Sequence, residues 1–129
     1  MSDHRQLALW AADCAERVLD LFETLHPDDA RPRQAVQAAR QWESGGLAMT
    51  SARACAFAAH AAARDAASPA ASAAARAAGH AAATAHVATH APHAATYALK
   101  ARAFAGGEVE AERNQQRLSL PTHLRNLVP

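Results

Sequence analysis

Between Ser51 and Ala105 the chain is built so largely of alanine that few structures other than α-helix are open to it. Alanine is the strongest helix former, whereas disordered tracts draw on charge, Pro, Ser or Gly. Across the whole chain 39 of the 129 residues are alanine, so the 50% apolar content overstates the available core. Large apolar side chains are few: Trp10, Trp42, three Phe, one Tyr and a limited set of Leu and Val. Alanine buries little area, so hydrophobic stabilisation per helix is low. Helix propensity and close approach of helix backbones must carry more of the fold.

Helix boundaries can be read from capping and breaking residues. A first helix is expected from His4 to Leu25 with Ser2 or Asp3 as N-cap. Leu7, Trp10, Ala11, Cys14, Val18, Leu21, Phe22 and Leu25 make its apolar stripe. Asp13 and Arg17 stand four apart on its polar face, the spacing of an ion pair. The run His26-Pro27-Asp28-Asp29 turns the chain, and Pro32 suits the first turn of a second helix that carries Ala35, Val36, Ala39 and Trp42. Gly45-Gly46 ends it. A third helix starts near Thr50 or Ser51 and reaches Asp65 or Ala67. Ser68-Pro69 opens a fourth, expected to run to Thr89. Pro92 predicts a break at Ala91, a fifth helix from Pro92 to Phe104, and a stop at Gly106-Gly107. A sixth spans Glu108 to Ser119, its early glutamates favoured by the helix dipole. Pro121 then leaves a short final segment, Thr122 to Leu127. Nothing alternates with period two, so no strand is expected. The reading is a single-domain, all-α, antiparallel bundle of five to six helices over residues 1–129. Its packed centre falls on the third to fifth helices.

Thirteen Lys/Arg against twelve Asp/Glu leave a net charge of +1, which argues against a nucleic-acid partner. No apolar run is long enough, with large side chains, for a membrane span or a secretory leader, so a cytoplasmic protein is expected. Cys14 and Cys55 lack metal or redox spacing and read as small buried hydrophobes, with no disulfide implied.

Histidine is the unusual residue: five of eight lie between positions 60 and 93. On a helical wheel Ser72, Arg76, Gly79, His80, Ala83, His86 and His90 fall within an arc of about 120°. His86 and His90, four apart, have the spacing with which two imidazoles reach one metal ion, and His80 is offset from them. His93 would extend that row only in a helix that ran through Pro92. There is no Asp or Glu between Asp65 and Glu108, hence no local carboxylate ligand or base. A third ligand would come from Asp13 or His60. His80, His86 and His90 are therefore the candidate metal residues, against the alternative of a partly exposed helix face. Arg53, His60 and Arg64 read as a solvated face of the third helix. Serines and threonines fall at helix starts or as filling, no Gly-rich phosphate loop exists, and a thiol buried among alanines would be inert. No catalytic set and no cofactor are expected.

Four segments resemble a family of small bacterial proteins described as Imm-5-like immunity proteins. They are LALWAADCAERVLDLFE (Leu7 to Glu23), RPRQAVQAARQW (Arg31 to Trp42), AARAAGHAAATAHVATHAPHAATYALKA (Ala74 to Ala101) and RLSLPTHLRNLV (Arg117 to Val128). The Trp10-Ala-Ala-Asp13-Cys14 run and the His80/His86/His90 spacing are not products of alanine bias. His90-Ala91-Pro92-His93 departs from the smoother loop that the family pattern leads one to expect. The resemblance implies an all-α domain that protects a cell by binding and blocking a protein toxin delivered between bacteria, and it transfers no contact residues. Two further readings stand beside it: a metal-binding protein or metal-dependent enzyme using the histidines, and a homo-oligomeric helical scaffold, a homodimer included.

Overall fold

Ser2 adopts extended backbone and its hydroxyl oxygen accepts from the Arg5 amide, which starts helix α1 (Asp3–Val18). The computed structural model describes residues 2–128. After α1 come α2 (Asp20–Glu23), α3 (Arg31–Glu43), α4 (Met49–Arg64), α5 (Pro69–Ala83), α6 (His90–Phe104) and α7 (Val109–Leu118), then a 3₁₀ helix, Thr122–Leu127. The described residues are thus all-helical, without a strand. Seven α-helices stand where five to six were expected. The extra one arises because the expected first helix is divided at Leu19, whose amide bonds back only three residues to the Glu16 carbonyl. Leu19 keeps helical torsions (φ −62°, ψ −31°), so the path tightens there and runs on.

The signals at most other ends act as the sequence predicts. Ser68 caps α5 by accepting from Ala71, with Pro69 at its first position. Gly45 (φ 85°) and Gly106 (φ 74°) take the left-handed conformation that ends α3 and α6. The α5–α6 junction differs. The expected helix to Thr89 stops at Ala83, six residues early. Buried Thr84 bonds its own hydroxyl to the His80 carbonyl, and its carbonyl accepts from the ring of His4 on α1. That carbonyl is thereby withdrawn from the helix, and three-residue hydrogen bonds at Ala85 and His86 close the turn. The break expected at Ala91 does not occur. Pro92 sits inside the first turn of α6, where a missing N–H leaves no hydrogen bond unmade.

Helix α5 is the centre of the packing. It touches α1, α2, α3, α4 and α6, and ten of its fifteen residues, all Ala or Gly, are buried. A helix buried nearly all round is uniformly apolar rather than striped, and here the small side chain lets neighbours close in. The larger anchors surround it: Trp10 on α1, Phe22 on α2 and Val36 on α3 are buried in the same cluster, while half-buried Trp42 packs in a smaller one with Ala38, Ala52 and Ala85.

Long-range polar contacts hold the outer helices. The expected Asp13–Arg17 pair is not formed. Asp13 instead meets Arg40 of α3 at 3.0 Å, and Arg17 meets buried Glu112 of α7 at 3.0 Å. Gln116 donates to the Ala95 carbonyl and to Glu112, while its own carbonyl accepts from the Trp10 indole. Among the described residues no helix is long and apolar enough to cross a membrane.

Candidate functional site

Ser72, Arg76 and His80 are the only polar side chains of α5, and they follow one another at four-residue steps. Four-residue spacing stacks them along one edge of an otherwise buried helix, between α4 and α6.

At its inner end lies a histidine cluster. His60 of α4 rests on the backbone of Gly79, and its Nδ1 is buried with no hydrogen-bond partner. It meets the His80 ring edge-on, with centroids 4.9 Å apart. His80 in turn stacks on Tyr97 of α6, nearly parallel at 8° and 5.3 Å, and lies 5.3 Å from His93. The Nδ1 atoms of His80 and His90 are 3.0 Å apart, so one carries the proton and donates while the other accepts. Burial, then the neighbouring His60, His90 and His93, push the His80 pKa down to about 3. His60 is lowered by burial and by Arg76, and His90 by burial and by His93. At neutral pH these three rings are uncharged, and among the described residues no carboxylate orients any of them.

Farther along the row the surface opens into a groove of about 300 Å³ between α5 and α6. Ser72, Ala73, Arg76, Tyr97, Lys100 and Phe104 line it. The Lys100 ammonium lies 4.9 Å from the Tyr97 ring, and the Phe104 side chain is largely exposed. A second recess of about 470 Å³ shares Ser72 and Arg76 and is bounded by Arg64 of α4. Arg64, Arg76 and Lys100 make no ion pair among the described residues. Asp65, next to Arg64 in the chain, turns to Arg31 instead. In a wider recess of about 670 Å³ over the α2–α3 turn, the one arginine, Arg31, is already paired with Asp29.

Of the three histidines singled out from sequence, His80 and His90 come together and His86 does not join them. Because α5 ends at Ala83, His86 lies on the exposed turn with no ring contact, and its helical pairing with His90 is absent. Of the two proposed third ligands, His60 joins the cluster, whereas Asp13 is engaged with Arg40. His60 is thus half-buried rather than part of a solvated face. Among the described residues no group of three or more His, Cys, Asp or Glu is placed to hold a metal ion. Cys14 and Cys55 are both free thiols, Cys14 with its pKa pushed up to about 12 by burial.

Sequence reasoning missed Tyr97, Lys100 and the depth of His60. A signal for His60 was present: a lone Gly79 inside an alanine helix costs about 1 kcal/mol relative to Ala, so it marks a close approach. The model of a family described as Imm-5 like putative immunity protein matches residues 1–123 of the chain. No curated protein and no solved structure matches it.

Proposed function

Because the chain belongs to the Imm-5 like putative immunity protein family, we propose that it binds a protein toxin and blocks it, with no chemistry of its own. The observation that carries this reading is the extent of the match, residues 1–123, which takes in all seven α-helices. The surface chemistry supports it. Among the described residues the clustered histidines make no ion pair with a carboxylate, and the Cys14 thiol is buried and held protonated. A blocking protein needs a stable surface of about 1,600 Å² in the complex, and nothing more. Such a protein acts in the cytoplasm of the cell it protects, where both cysteines remain thiols.

The test is co-expression with the toxin gene that neighbours this one. Growth restored by the wild-type chain supports the reading, and undiminished killing rejects the pairing.

A second reading, transition-metal binding, draws on one distance. The 3.0 Å between His80 Nδ1 and His90 Nδ1 is near the ~3.3 Å that two imidazoles span on a tetrahedral zinc ion. His60 and His93, whose rings lie 4.9 and 5.3 Å from that of His80, are the nearest further imidazoles for such an ion. Metal analysis of protein purified without a His-tag distinguishes the two: stoichiometric metal favours the second, its absence the first.

A further inference from the structure

Most acidic residues of this chain pair with cations outside α5 and α6, and the charged residues that line the groove between those helices are both cations. Asp13 and Glu16 meet Arg40, Glu23 meets Arg33, Asp29 and Asp65 meet Arg31, and Glu112 meets Arg17. The stretch from Ala66 to Gly107, which makes up α5 and α6, contains no acid at all. Two of its three cations, Arg76 and Lys100, line the groove between α5 and α6, and Arg64 at the end of α4 borders the recess that shares Arg76; the third, Arg102, turns away to the Arg17 carbonyl. Arg76 is half-buried in the groove, and the Ser72 hydroxyl beside it makes no hydrogen bond among the described residues. Apolar surface adjoins these charges, with Tyr97 and exposed Phe104 lining the groove.

We propose that this α4–α5–α6 face is where the partner docks, and that the partner is an acidic protein surface placing a carboxylate side chain between Arg76 and Lys100. The assignment rests on the toxin-blocking reading for the nature of the partner, and on the charge distribution for the place. A carboxylate entering the groove finds a planar guanidinium, an ammonium and a free hydroxyl donor, which can satisfy both of its oxygens. The aromatic surface around them supplies the water-excluding area in which such pairs are strongest. A nucleic acid fits less well. His60, His80 and His90, held below the ordinary imidazole pKa by burial, add no charge at pH 7, and three fixed cations are few for a phosphate backbone.

Two measurements separate failure of this assignment from failure of the toxin-blocking reading. In the first, ¹⁵N-labelled protein is titrated with a poly-L-glutamate peptide and, in parallel, with a thymidine oligonucleotide of equal charge. Peptide-induced amide shifts centred on Ser72, Arg76 and Lys100, absent in R76E/K100E, support the face and its chemistry. Shifts centred on other cations, or an equal response to the oligonucleotide, overturn it. In the second, the purified toxin encoded by the neighbouring gene is captured by wild-type protein, by R76E/K100E, by K100E alone, and by a reversal on α7, E110K. Binding weakened about 100-fold in R76E/K100E and unchanged in E110K supports the assignment. Equal binding by all four overturns the assignment and leaves the blocking function standing. Absence of binding by the wild type instead rejects the blocking function for that toxin, and the peptide titration then decides the face. Circular dichroism of K100E, altered at an exposed residue, guards against a folding artefact.

Discussion

The imidazole of His60 lies where the side chain of Gly79 would be: a Cβ built on Gly79 falls 2.6 Å from His60 Cε1 and 2.8 Å from both ring nitrogens. Two helices thus meet through a ring set on bare backbone, and the contact fixes His60 against His80. A Gly in mid-helix forgoes about 1 kcal/mol relative to Ala, so the pair carries a built-in reciprocity. In the His60→Ala background, Gly79→Ala should stabilise the fold by about 0.5–1 kcal/mol. In the wild-type background the same change should give no gain or a loss, with the His60 ring displaced. Urea unfolding of the four proteins closes the cycle, and additive effects would refute the contact.

Acid should loosen the fold through the same rings. His60, His80 and His90 have folded-state pKa values below the ordinary 6.5, so the unfolded chain binds more protons than the folded one once pH falls under that value. Stability from these groups is fully present above pH 6.5 and is lost progressively as pH drops toward the His80 value of about 3. A single fully protected histidine gives at most about 1.4 kcal/mol per pH unit, and access of water at this rim reduces it. Denaturation midpoints should fall between pH 7 and pH 5, less steeply in His80→Gln. Identical slopes for the two proteins would show that His80 is not the linked group.

Beside the hydrogen bonds of Gln116, one ion pair attaches α7 to α1. Glu112 is 4% exposed while Arg17, its partner at 3.0 Å, keeps 26% of its side-chain surface. Glu112→Ala should cost about 2–3 kcal/mol, less than for a fully buried pair because the abandoned guanidinium can still reach water. Arg17→Ala should cost at least as much, since it strands the more deeply buried carboxylate. Thermal denaturation ranks the two, and the reverse order would mean that the packing of α7, not the charge, decides.

How much of this was legible beforehand follows from what each residue says locally. Capping and breaking residues act through their immediate neighbours, so Ser2, Ser68, Pro69, Gly45 and Gly106 could be read directly. The early end of α5 could not, because it depends on Thr84 meeting His4, eighty positions away in the chain. The candidate site was half legible for the same reason. Periodicity identified His80 and the row it shares with Ser72 and Arg76, but which imidazoles would join it depended on where α5 stopped. His86 left the group with the lost turn, and His60 entered it through Gly79. Asp13 and Arg17 show the converse: a spacing suited to a local pair was overridden by partners on α3 and α7.

The alanines of α5 raise a question that substitution can settle. If alanine stands there by compositional drift, a larger side chain at a buried position should add apolar burial and stabilise the protein. If it stands there because neighbouring helices approach too closely for more, the same change should force them apart. Ala78 is fully buried within the main core cluster, on the helix that touches α1, α2, α3, α4 and α6. Such a site has no free side to expand into, and interiors at crystal-like density do not absorb extra methylenes. Ala78→Leu should therefore destabilise by about 1–3 kcal/mol despite its greater hydrophobicity. Ala103→Leu, on an exposed part of α6, should stay within about 0.5 kcal/mol of wild type, since leucine is nearly as good a helix former. Equilibrium unfolding of both variants decides between the two accounts. A more stable Ala78→Leu would mean that α5 is loosely seated, and the close approach of its neighbours would have to be abandoned as the reason for its sequence.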